Sequence, residues 1–469
     1  MTEVPAAMNR QARLLAWLFR PVDGAGLAAF RALFGLVMFG ALVRLMTTGW
    51  IRPLFVEPRF FFKYPGFSWV PGWSEQGMYV HASVLAVLAL CIAFGLFYRV
   101  SCALFAIGFA WLELIDVTNY LNHYYLVVLL AGVMTFLPLH RTWSVDAWRR
   151  PSLATSTVPA WALYLLRVQV GLVYFNAGLA KFGTDWLLHA QPLSIWMSAR
   201  TEVPVIGPWL GEPLVAYVMS WAGFLFDTTI VLWLSLSRTR RFAYAVVCIF
   251  HFFTAVFFNI GIFPALMVTA ALVFFPPDWA RRLLRRPALP PVEAPRAVEL
   301  GMGRRIGLTV AVAWCLFHAL VPQRHLLYPG DVIWNEEGMR WSWKVMLREK
   351  SGSVTFRVRD PSSGREWQVS PSQYLNRRQT NEMSGQPDLI LQLARHIGGQ
   401  FERRGGGGAE VRVDAWVSLN GRAPARLIHP DVDLMRAEYG LGRAEWILPE
   451  PQEPPLDPFR AGGPMRAQR

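Results

Sequence analysis

The chain has 469 residues, of which 54% are hydrophobic and only 17% charged, with 21 Trp and 31 Phe. A soluble domain carries about 25% charged residues, so composition excludes an ordinary soluble enzyme, and the apolar content excludes disorder over most of the length. The net charge of +14 would point to nucleic acid if the basic residues gathered in one patch. They fall instead in loops between apolar runs, where they act as topology signals.

In chain order, residues 1–25 carry Arg10, Arg13 and Arg20 but no short apolar region with a cleavage site, so no cleavable signal peptide is expected. Nine apolar runs then approach the roughly 20 residues that a bilayer crossing needs. They lie near 26–48, 78–98, 100–119, 123–139, 158–180, 211–236, 242–258, 260–276 and 305–321. With a cytoplasmic N-terminus, the inside segments hold 17 Arg and the outside loops before the last run hold five basic residues, Arg52, Arg59, Lys63, Lys181 and Arg200. That asymmetry supports nine spans and places the C-terminal part on the outer side. The four cysteines, Cys91, Cys102, Cys248 and Cys315, all sit in apolar runs without CxxC spacing, so neither a zinc site nor a disulfide framework is expected.

Beyond Gln323 the pattern changes. Arg340–Leu347, Ser353–Arg359, Glu366–Ser370, Glu410–Leu419 and Ala425–Ile428 alternate apolar and polar residues and are predicted strands. Asp360-Pro361 and Asn420-Gly421 are turn signals, Arg403–Gly408 is a Gly-rich turn, and Pro387–Phe401 is a predicted amphipathic helix. The fold class is therefore an α-helical multi-pass membrane domain, residues 1–321, followed by a smaller mainly-β outer domain, residues 322–448. The Pro- and Gly-rich tail, 449–469, is expected to be disordered.

Ionisable residues within the apolar runs mark functional positions by default, because burying them is expensive. They are Arg31, Arg44, Glu113, Asp116, His123, Arg167, Asp227 and His251, with Lys181 at a span end. Counting depth at 1.5 Å per residue brings Asp116, Asn122, His123, Lys181, His251 and Asn259 to one level, beneath the outer domain. Arg167 and Asp227 count as deeper and are expected to form a structural ion pair. Taken alone, His251 reads as a packing residue and Lys181 as a snorkelling one. Together they read as a site. No P-loop, dinucleotide fingerprint, HExxH or GxSxG pattern is present.

Several stretches carry a family resemblance: RPVDGAGLAAFRALFG (Arg20–Gly35), GLFYRVSCALF (Gly95–Phe105), NHYYL (Asn122–Leu126), WSVD (Trp143–Asp146), LLRVQVGLVYFNAGLAKFGTDWL (Leu165–Leu187), FH with NIGIFPALM (Phe250–Met267), and DAWVSLNGR with HPDVDL (Asp414–Leu434). In these, from about residue 20 to 450, the chain resembles the vitamin K-dependent gamma-glutamyl carboxylase family, whose membrane part is the HTTM domain. The resemblance implies that a reduced vitamin K, phylloquinol or menaquinol, is deprotonated and reacts with O2 to give a base strong enough to take a proton from Cγ of a peptide glutamate. The carbanion then adds CO2 and the quinone leaves as its epoxide, with no metal required.

The resemblance places the family's base on Lys181 and its partner histidine on His123, with Asn122 beside it, and puts the FH histidine on His251. Tyr174, Phe175, Asn259 and Phe263 are expected to hold the quinol. The segment MRWSWKVMLREK (Met339–Lys350) matches the glutamate-contacting stretch, so Trp341, Trp343 and Arg348 are expected to hold substrate, Arg348 standing where animal members carry His. A lysine serves as base only with its amine neutral, a form favoured by an apolar wall, here expected from Phe175, Leu179, Phe182 and Trp186. The expected partners are the lipid bilayer, its quinol and a Glu-containing peptide on the outer side, with no nucleic acid. The expected location is a bacterial cytoplasmic membrane. Two rival readings are a quinol epoxidase of the same fold that does not carboxylate peptide, and a non-enzymatic membrane binding protein.

Overall fold

The computed structural model describes residues 10–258, 260–290, 300–404, 408–440 and 444–459. It opens with α1 (Arg10–Phe19), an amphipathic helix that the residue pattern did not announce as an element. The apolar helices follow: α2 (Ala25–Thr47), α3 (Glu75–Phe94), α4 (Tyr98–Ile115), α5 (Asn122–Phe136), α6 (Ala160–Ala180), α7 (Pro213–Ser235), α8 (Arg240–Phe257), α9 (Phe263–Ala271, continued by a 3-10 turn to Phe274) and α10 (Met302–Leu320). All nine expected runs are helical, but only seven of the described helices are long and apolar enough to cross a membrane. The other two, α5 and α9, are shorter apolar helices. At 1.5 Å per residue the 15 residues of α5 reach about 22 Å, against a hydrocarbon core of about 30 Å.

One strand pair, β1 (Pro21–Asp23) with β2 (Thr157–Pro159), ties the start of α2 to the start of α6. The outer domain is built on a four-stranded antiparallel sheet of order β4-β3-β5-β6: β3 (Lys350–Arg359), β4 (Glu366–Val369), β5 (Glu410–Leu419) and β6 (Ala425–Arg426). Alternation decides which face is inside: Val411, Val413, Ala415, Val417 and Leu419 of β5 are buried while Trp416 is exposed. Two helices cover that face, α11 (Arg377–Ser384), opened by an Asn376/Gln379 capping box, and α12 (Pro387–Arg403). Asn420 and Gly421, both at positive φ (51° and 81°), form the tight turn after β5 that their sequence announced. The predicted Gly-rich turn at 403–408 falls partly on residues outside those described.

Two expectations fail here. Arg340–Leu347 is not a strand. Trp341, Trp343 and Met346 have φ near 60°, a region that breaks an extended ladder. The segment is pinned residue by residue instead: Arg340 binds Asp388 at 2.6 Å, and the Trp341 N–H donates to the Tyr120 hydroxyl at 2.8 Å. The tail is not disordered as far as Phe459. It crosses the outer domain as a strap, with Glu450 3.2 Å from Arg422, the Leu456 carbonyl accepting from Gln191 at 2.8 Å, and Phe459 stacked on Tyr217. Residues 460–469 lie outside those described.

The strap predicts a pH dependence. Burial, and then the charge of Asp331, push the Glu450 carboxyl up to about 7, against the pull of Arg422. The docked strap thus holds a proton that the free strap, with an ordinary carboxyl near 4.5, has lost. Docking therefore tightens as pH falls from 8 to 5.5. Hydrogen exchange across 450–459, corrected for intrinsic rates, is expected to slow at the lower pH in the wild type and not in Glu450→Gln. A pH-independent protection factor would contradict this.

Candidate active site

The site begins with close helix packing. A side chain at Gly178 of α6 would lie 2.6 Å from Thr228 and 2.8 Å from its backbone nitrogen, so only glycine lets α6 and α7 approach this far. Lys181 follows directly as the C-cap of α6, buried at 6% exposure. Its Nζ lies 2.6 Å from Asp227 Oδ2 of α7, 3.3 Å from the Ala177 carbonyl and 5.3 Å from the centre of the Trp186 ring. Trp186 is fixed in turn by its Nε1 donating to the Ser220 carbonyl at 2.8 Å. A Cβ on Gly223 would come to 3.5 Å from Trp186 and 4.0 Å from Lys181, so that position also keeps the lysine's space open.

The expected Arg167–Asp227 pair does not form. Arg167 instead donates to the Val273, Phe274 and Phe275 carbonyls at 2.8, 3.2 and 3.0 Å. These are groups left unpaired at the end of α9, which a guanidinium fork satisfies. Asp227 was counted too deep because α7 begins well beyond the end of α6. The expected desolvating set is corrected as well: Phe175, Leu179 and Phe182 are 55%, 44% and 73% exposed, and only Trp186 of the four covers the lysine.

Lys181 and Asp227 face a cavity of about 100 Å³, measured as the space open to the centre of a water-sized sphere, whose wall includes Tyr174, Phe250, His251 and Phe263. The Tyr174 hydroxyl is 3.1 Å from His251 Nε2. His251 is 1% exposed, and its Nδ1 is buried without a hydrogen-bond partner. His123 is not in the wall itself. It stands behind Phe263, whose ring lies 5.6 Å from both the His123 and His251 rings, and its Nε2 is likewise buried and unpartnered.

The other expected residues are placed as follows. Asn122 accepts from the Tyr120 hydroxyl at 3.0 Å, which orients the loop that receives Trp341. Phe175 stands on the exposed face of the bundle, away from the cavity. Asn259 lies outside the described residues. Trp341 and Trp343 pack against Tyr125, with ring centres 6.3 and 5.3 Å away, and do not enter the cavity. Arg348 is bound to Glu336, and so is Lys350, at 2.9 Å. From that loop it is Val345 and Met346, not the tryptophans, that close the cavity. Sequence reading missed both, since an apolar residue in an alternating stretch looks like a strand's inner face. Asp116, expected at the site, binds Gln379 of the outer domain at 2.7 Å, and burial raises its carboxyl's pKa.

A site of this kind, small, mostly apolar, with a few convergent polar groups and one orphaned imidazole nitrogen, that of His251, suits a flat ring bearing hydroxyl groups. Comparison with known families decides the kind. The family model of the HTTM domain matches residues 19–279, and that of the vitamin K-dependent gamma-carboxylase lumenal domain matches residues 303–453. The chain belongs to the HTTM-domain family of vitamin K-dependent gamma-carboxylases. At the family level it is a membrane-embedded enzyme of the gamma-glutamyl carboxylase type, dependent on vitamin K, with an extracytoplasmic C-terminal domain. The lumenal-domain match takes in α10, so the family's domain division falls before the last span rather than after residue 321. No solved structure matches the chain.

The lysine–aspartate pair gives a stability prediction. Removing one partner leaves an uncompensated buried charge, so Asp227→Ala is expected to cost about 3–5 kcal/mol. Lys181→Met with Asp227→Leu removes both charges and should regain most of that loss. Thermal unfolding in detergent of Asp227→Ala and of the four proteins of the cycle, wild type, Lys181→Met, Asp227→Leu and the double variant, checks it, and additive losses in the cycle would show the two side chains to be uncoupled.

Proposed function

We propose that the protein carries out quinol-dependent gamma-carboxylation of glutamate in a peptide presented from the outer side. The observation that carries this is the buried Lys181–Asp227 pair opening on the same small cavity as Tyr174 and His251. When bound, the reduced quinone supplies, together with O2, the strong base that removes the Cγ proton, and it leaves as the epoxide.

Lys181 Nζ takes the hydroxyl proton of the ring bound beside it. An ammonium cannot do this, and the pair supplies the alternative: with the shared proton on Asp227, Nζ carries a free lone pair. In apolar surroundings that uncharged form competes with the ion pair, because it avoids the desolvation of two charges. His251, oriented through Nε2 by Tyr174, offers Nδ1 to a ring oxygen. His123, the partner histidine by family resemblance, stands one ring away behind Phe263 and would meet developing negative charge only with the Phe263 side chain turned aside. Val345 and Met346 close the outer wall and keep water from the reacting atoms. The apolar sides of the cavity admit a lipid-soluble ring, and the peptide comes from the outer domain's side of the membrane.

The test uses full-length protein in lipid discs with reduced menaquinone, labelled bicarbonate and a Glu-containing peptide, scoring epoxide and fixed label separately. The wild type should give both. Lys181→Ala and Lys181→Arg should give neither, since guanidinium stays protonated at usable pH, and epoxide at the wild-type rate from either would remove Lys181 from the mechanism. Epoxide without fixed label from the wild type would reassign the protein as a quinol epoxidase. His123→Ala should fold and lower turnover by about 10²–10³, the scale of one oxyanion donor. Full activity of that variant would show His123 to be a packing residue.

The loop charges support a cytoplasmic N-terminus, with the outer domain across the membrane from it. A reporter fused after Phe459 should be active only outside the cytoplasm; cytoplasmic activity would reverse the orientation.

A further inference from the structure

A second cavity lies across the Ile260 segment from the first, and Ile260 lines both. It leaves about 320 Å³ open to the centre of a water-sized sphere. Leu42 and Leu45 of α2 and Phe109 and Leu112 of α4 form its apolar wall, and Arg378 and Glu382 of α11 roof it from the outer domain. Trp50 and Leu121 stand at its mouth, each 43% exposed. Both lie just beyond the ends of membrane helices, at the level where aromatic and apolar side chains meet lipid headgroups.

The polar lining is unusual in what it lacks. Two residues of this lining each carry a buried acceptor with no hydrogen-bond partner, Glu113 Oε2 and Asn119 Oδ1. Asn119 is 5% exposed, and its amide nitrogen is turned to the Leu54 carbonyl at 3.5 Å, which assigns the free atom as oxygen. Buried acceptors are rarely left unmet, so the pair calls for a ligand with several donors. Guanidinium groups stand in the same lining. Arg44 is exposed near the mouth, and Arg378, which donates to the Thr118 carbonyl at 2.5 Å, retains further N–H groups. Donors for an anion, acceptors for a cation and an apolar wall reached from the bilayer describe one amphipathic zwitterion.

We propose that this cavity binds a phospholipid with a primary-ammonium headgroup, phosphate on Arg44 and Arg378, ammonium on Glu113 and Asn119, and acyl chains along α2 and α4. A primary ammonium brings three N–H donors and a positive charge, which satisfy both acceptors. A choline head has no N–H to give, and a glycerol head brings hydroxyls without the charge. The inference is independent of the carboxylation reading, since it concerns different residues and needs no turnover.

Full-length protein is purified in mild detergent, delipidated, and titrated with phosphatidylethanolamine, phosphatidylcholine and phosphatidylglycerol of matched chains, with bound lipid read by native mass spectrometry. One phosphatidylethanolamine should be retained about tenfold more tightly than either other lipid. Glu113→Leu should bring the ethanolamine-over-choline preference to about unity, and Arg44→Leu, at an exposed position that the fold tolerates, should weaken all three lipids by about three- to tenfold. Equal retention of the three lipids by the wild type would overturn the proposal. So would affinities for all three lipids left unchanged by Arg44→Leu together with a preference unchanged in any Glu113 variant that folds, or displacement of the lipid by one equivalent of menadiol, which would make the cavity a quinol site.

Discussion

A lysine and an aspartate 2.6 Å apart between apolar helices set the terms for the whole membrane domain. A charge buried among apolar helices is costly unless it is paired. The pair is tolerable only if α6 and α7 are held at one distance and one rotation. Gly178 sets the distance, since any Cβ there would strike Thr228, and Gly223 and Trp186 set the space around the amine. Specificity of packing and placement of a reactive group are thus a single requirement.

The two short helices belong to the same logic. α5 and α9 are shorter than their neighbours and are preceded by irregular backbone: His123 is in the first turn of α5, Phe263 in that of α9, and Ile260, in the segment before α9, lines both cavities. Such backbone must find partners inside the protein. Arg167 serves the far end of α9 through three carbonyls, a role that explains a buried arginine without any carboxylate. The outer domain covers the segment before α5, with Arg378 on the Thr118 carbonyl and Gln379 on Asp116, and the loop after α2, with Asn376 on the Pro53 carbonyl.

Much of this was legible in the residues, and the limits have physical causes. Helices of long apolar run and strands of strict alternation, such as β5, are periodic, and periodicity survives tertiary context. The Lys181–Asp227 pair was not legible, because depth counted from span ends assumes that spans begin at one level, and α7 begins beyond the end of α6. Residues 340–347 alternate like a strand, yet each side chain answers to a different neighbour. The backbone there follows hydrogen bonds to Tyr120 and ion pairs to Asp388 that no local pattern encodes. The strap failed for a related reason. Its Pro- and Gly-rich composition describes the free chain, while its docking comes from Arg422, Gln191 and Tyr217 elsewhere. Motif resemblance carried the candidate catalytic residues that helical periodicity left ambiguous, and it carried the tryptophans of the loop in place of their neighbours Val345 and Met346.

That loop ties the outer domain to the chemistry more closely than a separate module would be tied. Three non-glycine residues in the left-handed region within six positions cost on the order of 1–2 kcal/mol each, and such strain persists only where the surroundings fix it. Here both ends are fixed by buried charge. Arg340 is locked on Asp388 and Gln386 at one end, and Arg348 and Lys350 converge on Glu336 at the other. Val345 and Met346 lie between those anchors, so the outer wall of the cavity is shaped by ion pairs that lie wholly in the outer domain. Shifting either anchor moves the wall without touching Lys181 or His251. The outer domain of this chain therefore participates in the site as a structural wall.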